Sequence, residues 1–442
     1  VRNLSIFGTS SDAGKSTLTF VVGRLLQERG LKVAPFKAQN VSNNAVVADD
    51  GSEIAMAQHF QARVLGERSS WHNNPVLLKS GRGSRASLIV KGRSVATPEV
   101  REYYREIDAL KPAVEEAFET LEGACDCVIA EGAGSPVELN LMQKDLANLY
   151  VADRFDTRIV LVADIEKGGV FASIYGVYHL LPQKLRRNVV GVVINKFRGD
   201  MRLFDEGVKI IEERFGIPVL GVLPYRPFAL GIEDSQSLRA LPQDCSRAEQ
   251  RVAVIAYPTM SNYSDFEPLI ADERICVEFI NSVKDLSAYD KVVLPGSKLV
   301  MQDLHWLRRT GLAAEIGRIE AAKEVEIVGI CGGYEMLFRR LHDPDGVESG
   351  TPDSMDGLGF IDDEIFFGRE KVLCRLGERY EIHHGISAKY PKEYRRGKLY
   401  GTFAHGLFAD ERYAEHMRRS VDDFVAAMSP HLNIGLLYDA LR

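Results

Sequence analysis

The chain has 442 residues, room for about three domains at ~150 residues each, or two larger ones, so neither disulfides nor metal is needed to build a core. Hydrophobic residues make up 45% and charged residues 26%, and 55 Lys+Arg against 62 Asp+Glu leave a net charge of −7 without large blocks. That balance argues against a nucleic-acid binder, and no apolar run approaches the ~20 residues of a membrane span.

The sequence enters a strand pattern at once, with no signal-peptide pattern before it. Short β-branched runs alternate with longer helical patterns, which predicts an α/β fold with parallel sheets flanked by helices. In the first half the predicted strands are 3–8, 31–37, 125–132, 157–164, 189–195 and 218–224, most of them continuous apolar runs suited to burial on both faces. Between the first two, Leu18, Val21, Val22, Leu25 and Leu26 recur at helical spacing, and Gly30 is placed to end the helix. From Tyr225 to Gln250 the rhythm is lost among Pro227, Gly231, Pro242 and mixed charges, which reads as a linker. A second alternating series follows at 252–257, 275–280, 291–296 and 326–333, then a strand-rich section with 358–368 and 400–408, then a helix from about Asp410. The expected organisation is two mostly parallel α/β domains, 1–227 and 251–442, joined by a linker at 228–250.

After the first strand comes Gly8, then TSSDA, then Gly14-Lys15-Ser16-Thr17, opening directly into a helix. Backbone N–H groups of such a loop cradle phosphates, with Gly8, Asp12, Ala13, Gly14 and Thr17 as lining positions. Lys15 can neutralise the β/γ oxygens, and the Ser16 hydroxyl can hold Mg²⁺. The spacing is one residue longer than GxxxxGK[ST], with Thr9 where the first Gly would stand. Glu131 ends another strand in EGAGSP, placed either for metal or water near the phosphates or as a solvated turn acid. Asn195 ends a third and could read an adenine edge or cap a loop; Asp164 could serve the transferred phosphate or cap its own turn.

Six cysteines occur without a CxxC pair, which fits a reducing, cytoplasmic setting. Cys331 lies in IVGICGGYEMLF, a strand-to-helix turn framed by glycines that would project a nucleophile at a helix N-terminus. Cys125, Cys127, Cys245, Cys276 and Cys374 read as small buried hydrophobes. The base that Cys331 needs is best supplied by His405, 74 residues downstream at a strand end, with His383 and His384 as rivals. Pro295-Gly296-Ser297, after a strand, offers backbone N–H groups for an oxyanion hole.

The motifs GTSSDAGKST, PFKAQN (35–40), NPVLLK (74–79), EGAGSP (131–136), VADIEKGGVFAS (162–173), INKFRGD (194–200), SNYSDFEPL (261–269), LPGSK (294–298), GICGGYEML (329–337), YEIHHG (380–385) and GTFAHGLF (401–408) occur in one order. Together they resemble the cobyric acid synthase family over nearly the whole chain. The front half is similar to dethiobiotin synthetase and the rear half to class I glutamine amidotransferases. The resemblance implies ATP and Mg²⁺ as cofactors, and glutamine and adenosylcobyrinic acid a,c-diamide as substrates. Glutamine would be hydrolysed at Cys331 with His405 as base. The ammonia would amidate the b, d, e and g carboxylates after their activation as acyl phosphates. By position, Lys15 and Ser16 match the phosphate and Mg²⁺ residues, Glu131 the Mg²⁺ carboxylate, Glu53 more loosely a second acid, and Asn195 the adenine contact. Class I amidotransferases usually carry Glu two residues after the His; here Gly406 and Leu407 follow, so the residue that orients His405 stays open, with Glu381 a candidate. The competing readings are a cobyrinic acid a,c-diamide synthase and, in a different class, a ParA-like nucleotide switch with an inactive amidotransferase module.

Overall fold

The computed structural model describes residues 1–80, 86–96, 103, 106–228, 230, 243 and 245–442. In the first half, strands Val219–Pro224, Val189–Phe197, Arg158–Asp164, Leu4–Gly8, Cys127–Glu131 and Val33–Phe36 lie side by side in that order, every pair parallel. Leu4–Gly8 and Cys127–Glu131 are buried along their whole length, as continuous apolar runs require when helices cover both faces. Helix Lys15–Gln27 turns Leu18, Val21, Val22, Leu25 and Leu26 inward, and Gly30 follows it at φ 86°, a left-handed turn that favours glycine. The first strand lies where the strand order reverses, so the loop after Gly8 opens at the point where such sheets bind ligands.

Between Phe36 and Cys127 the chain builds structure that the sequence pattern did not announce. Strands Gln39–Val41, Val76–Ser80, Ala86–Val90 and Arg93–Ala96 form a mixed sheet, and Ala45–Val47 pairs with Glu53–Ala55 as a hairpin. Several of these strands have only three residues, too few to establish a period.

In the second half, strands Ile275–Ile280, Gln250–Ile255, Lys291–Leu294, Glu326–Ile330 and Leu399–Thr402 are parallel, and Glu393–Arg396 closes the edge antiparallel. A second, mixed sheet joins Asp353–Asp356, Phe338–Asp343, Ile361–Leu376, Arg379–Ile386 and Ala404–His405. Asp410 caps helix Glu411–Met428, its carboxylate accepting from the Tyr413 N–H. That helix and Ile434–Leu441 dock on the first half: Val421, Phe424, Met428, Leu437 and Leu441 share one apolar core with Leu4, Leu18 and Phe20. Phe424 meets Phe20 at 5.9 Å and Phe228 at 4.8 Å between ring centroids. Most of the expected linker (229, 231–242 and 244) lies outside the described residues.

The expectation for the cysteines needs correcting. Cys245 and Cys276 form a disulfide rather than buried thiols. Cys125 and Cys374 are only partly buried, leaving Cys127 as the one inert buried thiol of that group. Among the described residues no helix is long and apolar enough to cross a membrane.

Candidate active site

The cysteine elbow is built from strain and small residues. Strand Glu326–Ile330 ends at Cys331, whose φ of 52° and ψ of −111° no ordinary side chain adopts freely; helix Gly332–Met336 follows at once. A Cβ on Gly332 would stand 2.7 Å from the Ser297 nitrogen, and one on Gly333 only 2.0 Å from the Leu294 carbonyl oxygen. Glycine at both positions therefore lets the elbow press against the end of strand Lys291–Leu294 and the Pro295–Ser297 loop. The Cys331 N–H donates to the Thr402 carbonyl (2.8 Å), so the strand leading to His405 runs beside the elbow.

His405 is fully buried, and its Nδ1 donates to Asp265 Oδ2 at 2.7 Å. The other Asp265 oxygen accepts from the Gly406 N–H at 2.8 Å, and the Tyr380 ring stacks on the imidazole with centroids 5.2 Å apart. With Nδ1 held this way, Nε2 is left as the acceptor, and it is buried with no hydrogen-bond partner among the described residues. A Cβ on Gly296 would come within 3.0 Å of His405 Cε1, so one loop touches both the elbow and the imidazole. Burial pushes the Cys331 thiol well above its ordinary pKa, and the Glu335 carboxylate adds to that. The resting sulfur is thus a thiol, donating to the Ile382 carbonyl (3.5 Å), and needs a base before it can attack.

Asp265 is the residue that the sequence reading did not find. Glu381, the candidate for orienting His405, instead faces His383 Nε2 at 3.9 Å. His383 stacks on Phe403, and His384 Nδ1 meets the Gly368 carbonyl. The signal for Asp265 was present in SNYSDF, where an acid sits in a tight turn, but 140 residues separate it from His405.

In the first half the residues of the 8–17 loop lie close to Asn195 and Gly134. Gly14 takes φ 100° at the start of the helix, and a Cβ there would strike the Asn195 amide at 2.1 Å. Lys15 donates to the carbonyls of Ser10 (3.3 Å) and Gly134 (3.0 Å), which folds it over the loop beside Gly8. Thr17 bonds back to the Gly14 carbonyl, and Lys196 joins the Asp12 carbonyl to the Asp164 carboxylate. Asn195 donates to the Ala13 carbonyl at 2.9 Å, bracing the loop from the neighbouring strand.

Ser16 donates to Glu131 Oε1 at 2.8 Å. That carboxylate also receives Lys37 Nζ (2.9 Å) and, on its other oxygen, Gln61 Nε2 (2.7 Å), two residues not singled out from sequence. A hydroxyl beside a carboxylate at a phosphate loop fits Mg²⁺, which takes few protein ligands when phosphates and water complete its shell. Glu53, expected more loosely as a second metal acid, has different partners. Its buried carboxylate is held by Lys79 (3.0 Å) and by Lys371 of the second half (2.9 Å). Burial alone would raise Glu53, but the two ammonium groups outweigh it and hold it below the usual carboxylate range.

Residues 4–234 match the CobQ/CobB/MinD/ParA nucleotide binding domain, and residues 251–413 match the CobB/CobQ-like glutamine amidotransferase domain. A cobyric acid synthase of Acinetobacter baylyi is 52% identical, with all of both chains covered. The chain belongs to the cobyric acid synthase family. Probable cobyric acid synthases of Methanoculleus marisnigri and Picrophilus torridus are 39% and 37% identical, covering 99% and 96% of this chain and 95% and 93% of theirs. Cobyric acid synthases are glutamine-hydrolysing ligases of an amidation step in cobalamin biosynthesis, and membership makes this protein an enzyme of that kind. These relatives favour that reading over the a,c-diamide synthase and the non-catalytic switch.

Proposed function

We propose that the protein amidates the b, d, e and g carboxylates of adenosylcobyrinic acid a,c-diamide, using ATP with Mg²⁺ and the amide nitrogen of glutamine, to give cobyric acid. The observation that carries this reading is a buried His405–Asp265 pair and the Cys331 elbow, both against the 295–297 loop, in one chain with a phosphate loop. A carboxylate does not accept an amine until one oxygen becomes a good leaving group, and ammonium has no free lone pair. A glutaminase joined to a phosphate-activating half meets both needs. We assign the activating half to 1–227 and the glutaminase to 251–442, with the last two helices docked across onto the first.

In the glutaminase, His405 Nε2 takes the Cys331 proton as sulfur attacks the glutamine side-chain carbonyl. Asp265 holds the imidazolium, and backbone N–H groups of the 295–297 loop and of Gly332 face the developing oxyanion. The proton then passes from His405 to the leaving ammonia, and water releases glutamate from sulfur. In the first half, Lys15 supplies positive charge to the phosphates, and Ser16 and Glu131 would hold Mg²⁺, which adds charge neutralisation there. A corrin carboxylate oxygen attacks the γ-phosphorus and ADP leaves. Ammonia then attacks the acyl carbon and phosphate leaves. The broad corrin lies across the open C-terminal ends of the first half's strands. The test is incubation of the purified protein with the a,c-diamide, ATP, Mg²⁺ and glutamine, followed by mass spectrometry. Stepwise gain of amide groups is expected, and an unchanged corrin with every nitrogen source would reject the substrate.

A further inference from the structure

Asp265 sits in a turn gripped from the opposite half of the molecule. Asn262, at a left-handed φ of 55°, begins that turn, and its carbonyl accepts from the Asp265 N–H at 3.1 Å. The Asn262 amide, buried, donates to the Ala45 carbonyl at 2.7 Å and lies 3.0 Å from the Tyr380 hydroxyl, whose ring stacks on His405. Ser264, directly before Asp265, donates to Asn44 Oδ1 at 3.1 Å. Asn44 and Ala45 belong to the first half, at the start of the Ala45–Val47 hairpin. That hairpin returns through Glu53–Ala55 into helix Met56–Val64, whose Gln61 holds Glu131 and the Ser16 carbonyl. Across the same boundary Lys371 meets Glu53, and Arg375 donates to the Val47 carbonyl at 2.7 Å.

We propose that Asn44, Asn262 and Ser264 are positioning residues of the glutaminase: the nucleotide-binding half, through its 44–47 hairpin, sets the turn that carries Asp265 and so fixes the imidazole of His405. The second half folds its own cysteine elbow, but the acid behind its base is seated by groups that only the first half supplies. Buried hydrogen bonds of this kind hold a side chain within the few tenths of an ångström that proton transfer requires. This inference rests on the glutaminase assignment above.

The test compares full-length variants in glutamine hydrolysis and, separately, in amidation driven by ammonium salt. Asn262→Gly keeps the left-handed backbone without strain while deleting the amide; Asn44→Ala deletes the acceptor from the other half. Each is expected to lower kcat for glutamine hydrolysis about tenfold, with KM for glutamine and ammonium-driven amidation within about twofold of wild type. Ser264→Ala should match Asn44→Ala, Ser264→Thr should restore most of kcat, and the Asn44→Ala/Ser264→Ala double variant should be no slower than either single. Glutaminase kcat within about twofold of wild type in both Asn variants would overturn the proposal, as would a parallel fall in ammonium-driven amidation. Failure of the wild type to amidate the corrin would instead count against the substrate assignment, while the glutaminase comparison among variants would still decide this one.

Discussion

Burial of Cys331 favours the neutral thiol, so its reactivity without substrate should be low at neutral pH and rise with alkali. Below its pKa the thiolate fraction grows about tenfold per pH unit, and alkylation by iodoacetamide, mapped to Cys331 by mass spectrometry, should follow that slope. A flat rate between pH 6 and 8 would mean that the sulfur is already ionised. Cys331→Ser should abolish glutamine-dependent amidation and leave ammonium-driven amidation intact, since in the proposed function the sulfur serves only to release ammonia. Asp265→Asn keeps the shape but offers an amide where Nδ1–H needs an acceptor. Glutamine hydrolysis should fall by on the order of 10²–10⁴, with ammonium-driven synthesis again retained. Lys15→Ala or Glu131→Ala should behave oppositely, abolishing amidation with either nitrogen source because both precede carboxylate activation. Full ammonium-driven turnover in either would remove that residue from the nucleotide site.

Elements rather than single side chains decide whether those residues meet. The elbow needs glycine at 332, because a methyl there must displace the Ser297 backbone. Gly332→Ala should therefore lose glutaminase activity even if thermal unfolding moves by only a few degrees. The two central parallel sheets, the phosphate-loop helix and the elbow were legible in the sequence, since each pairs a continuous apolar run with a glycine-framed turn. The hairpin at 45–55 was not, because its three-residue strands carry no period and lean on Asn262 and Arg375 of the other half. Glu53 shows the same limit: its position suggested a metal acid, whereas two lysines distant in sequence, Lys79 and Lys371, make it an ion-paired bridge between halves. Asp265 escaped for a related reason, as nothing local ties an acid at 265 to a histidine at 405.

At the scale of the molecule, the halves are interlocked rather than strung together. The C-terminal helices lend Phe424 and Leu437 to the first half's core, so Phe424→Ala should cost about 3–5 kcal/mol and lower the denaturation midpoint of the nucleotide-binding half. The buried Glu53–Lys371 pair and the Asn44–Ser264 bond close the same boundary from the other side. Such a fixed boundary suits an intermediate that must travel between sites as neutral ammonia, because exposure to bulk water at neutral pH would convert it to ammonium. The proposed function joins two chemistries in one enzyme: nitrogen freed at Cys331 is consumed at the carboxylate activated beside the phosphate loop. Its most direct test is isotopic. The wild-type protein is supplied with the a,c-diamide, ATP, Mg²⁺ and glutamine labelled with ¹⁵N in the side-chain amide, in the presence of unlabelled ammonium salt below the level that drives synthesis alone. The new b, d, e and g amides are predicted to carry ¹⁵N with little dilution. Amides labelled only to the extent expected from mixing with the bulk ammonium, or a corrin left unamidated while glutamine is consumed, would contradict it.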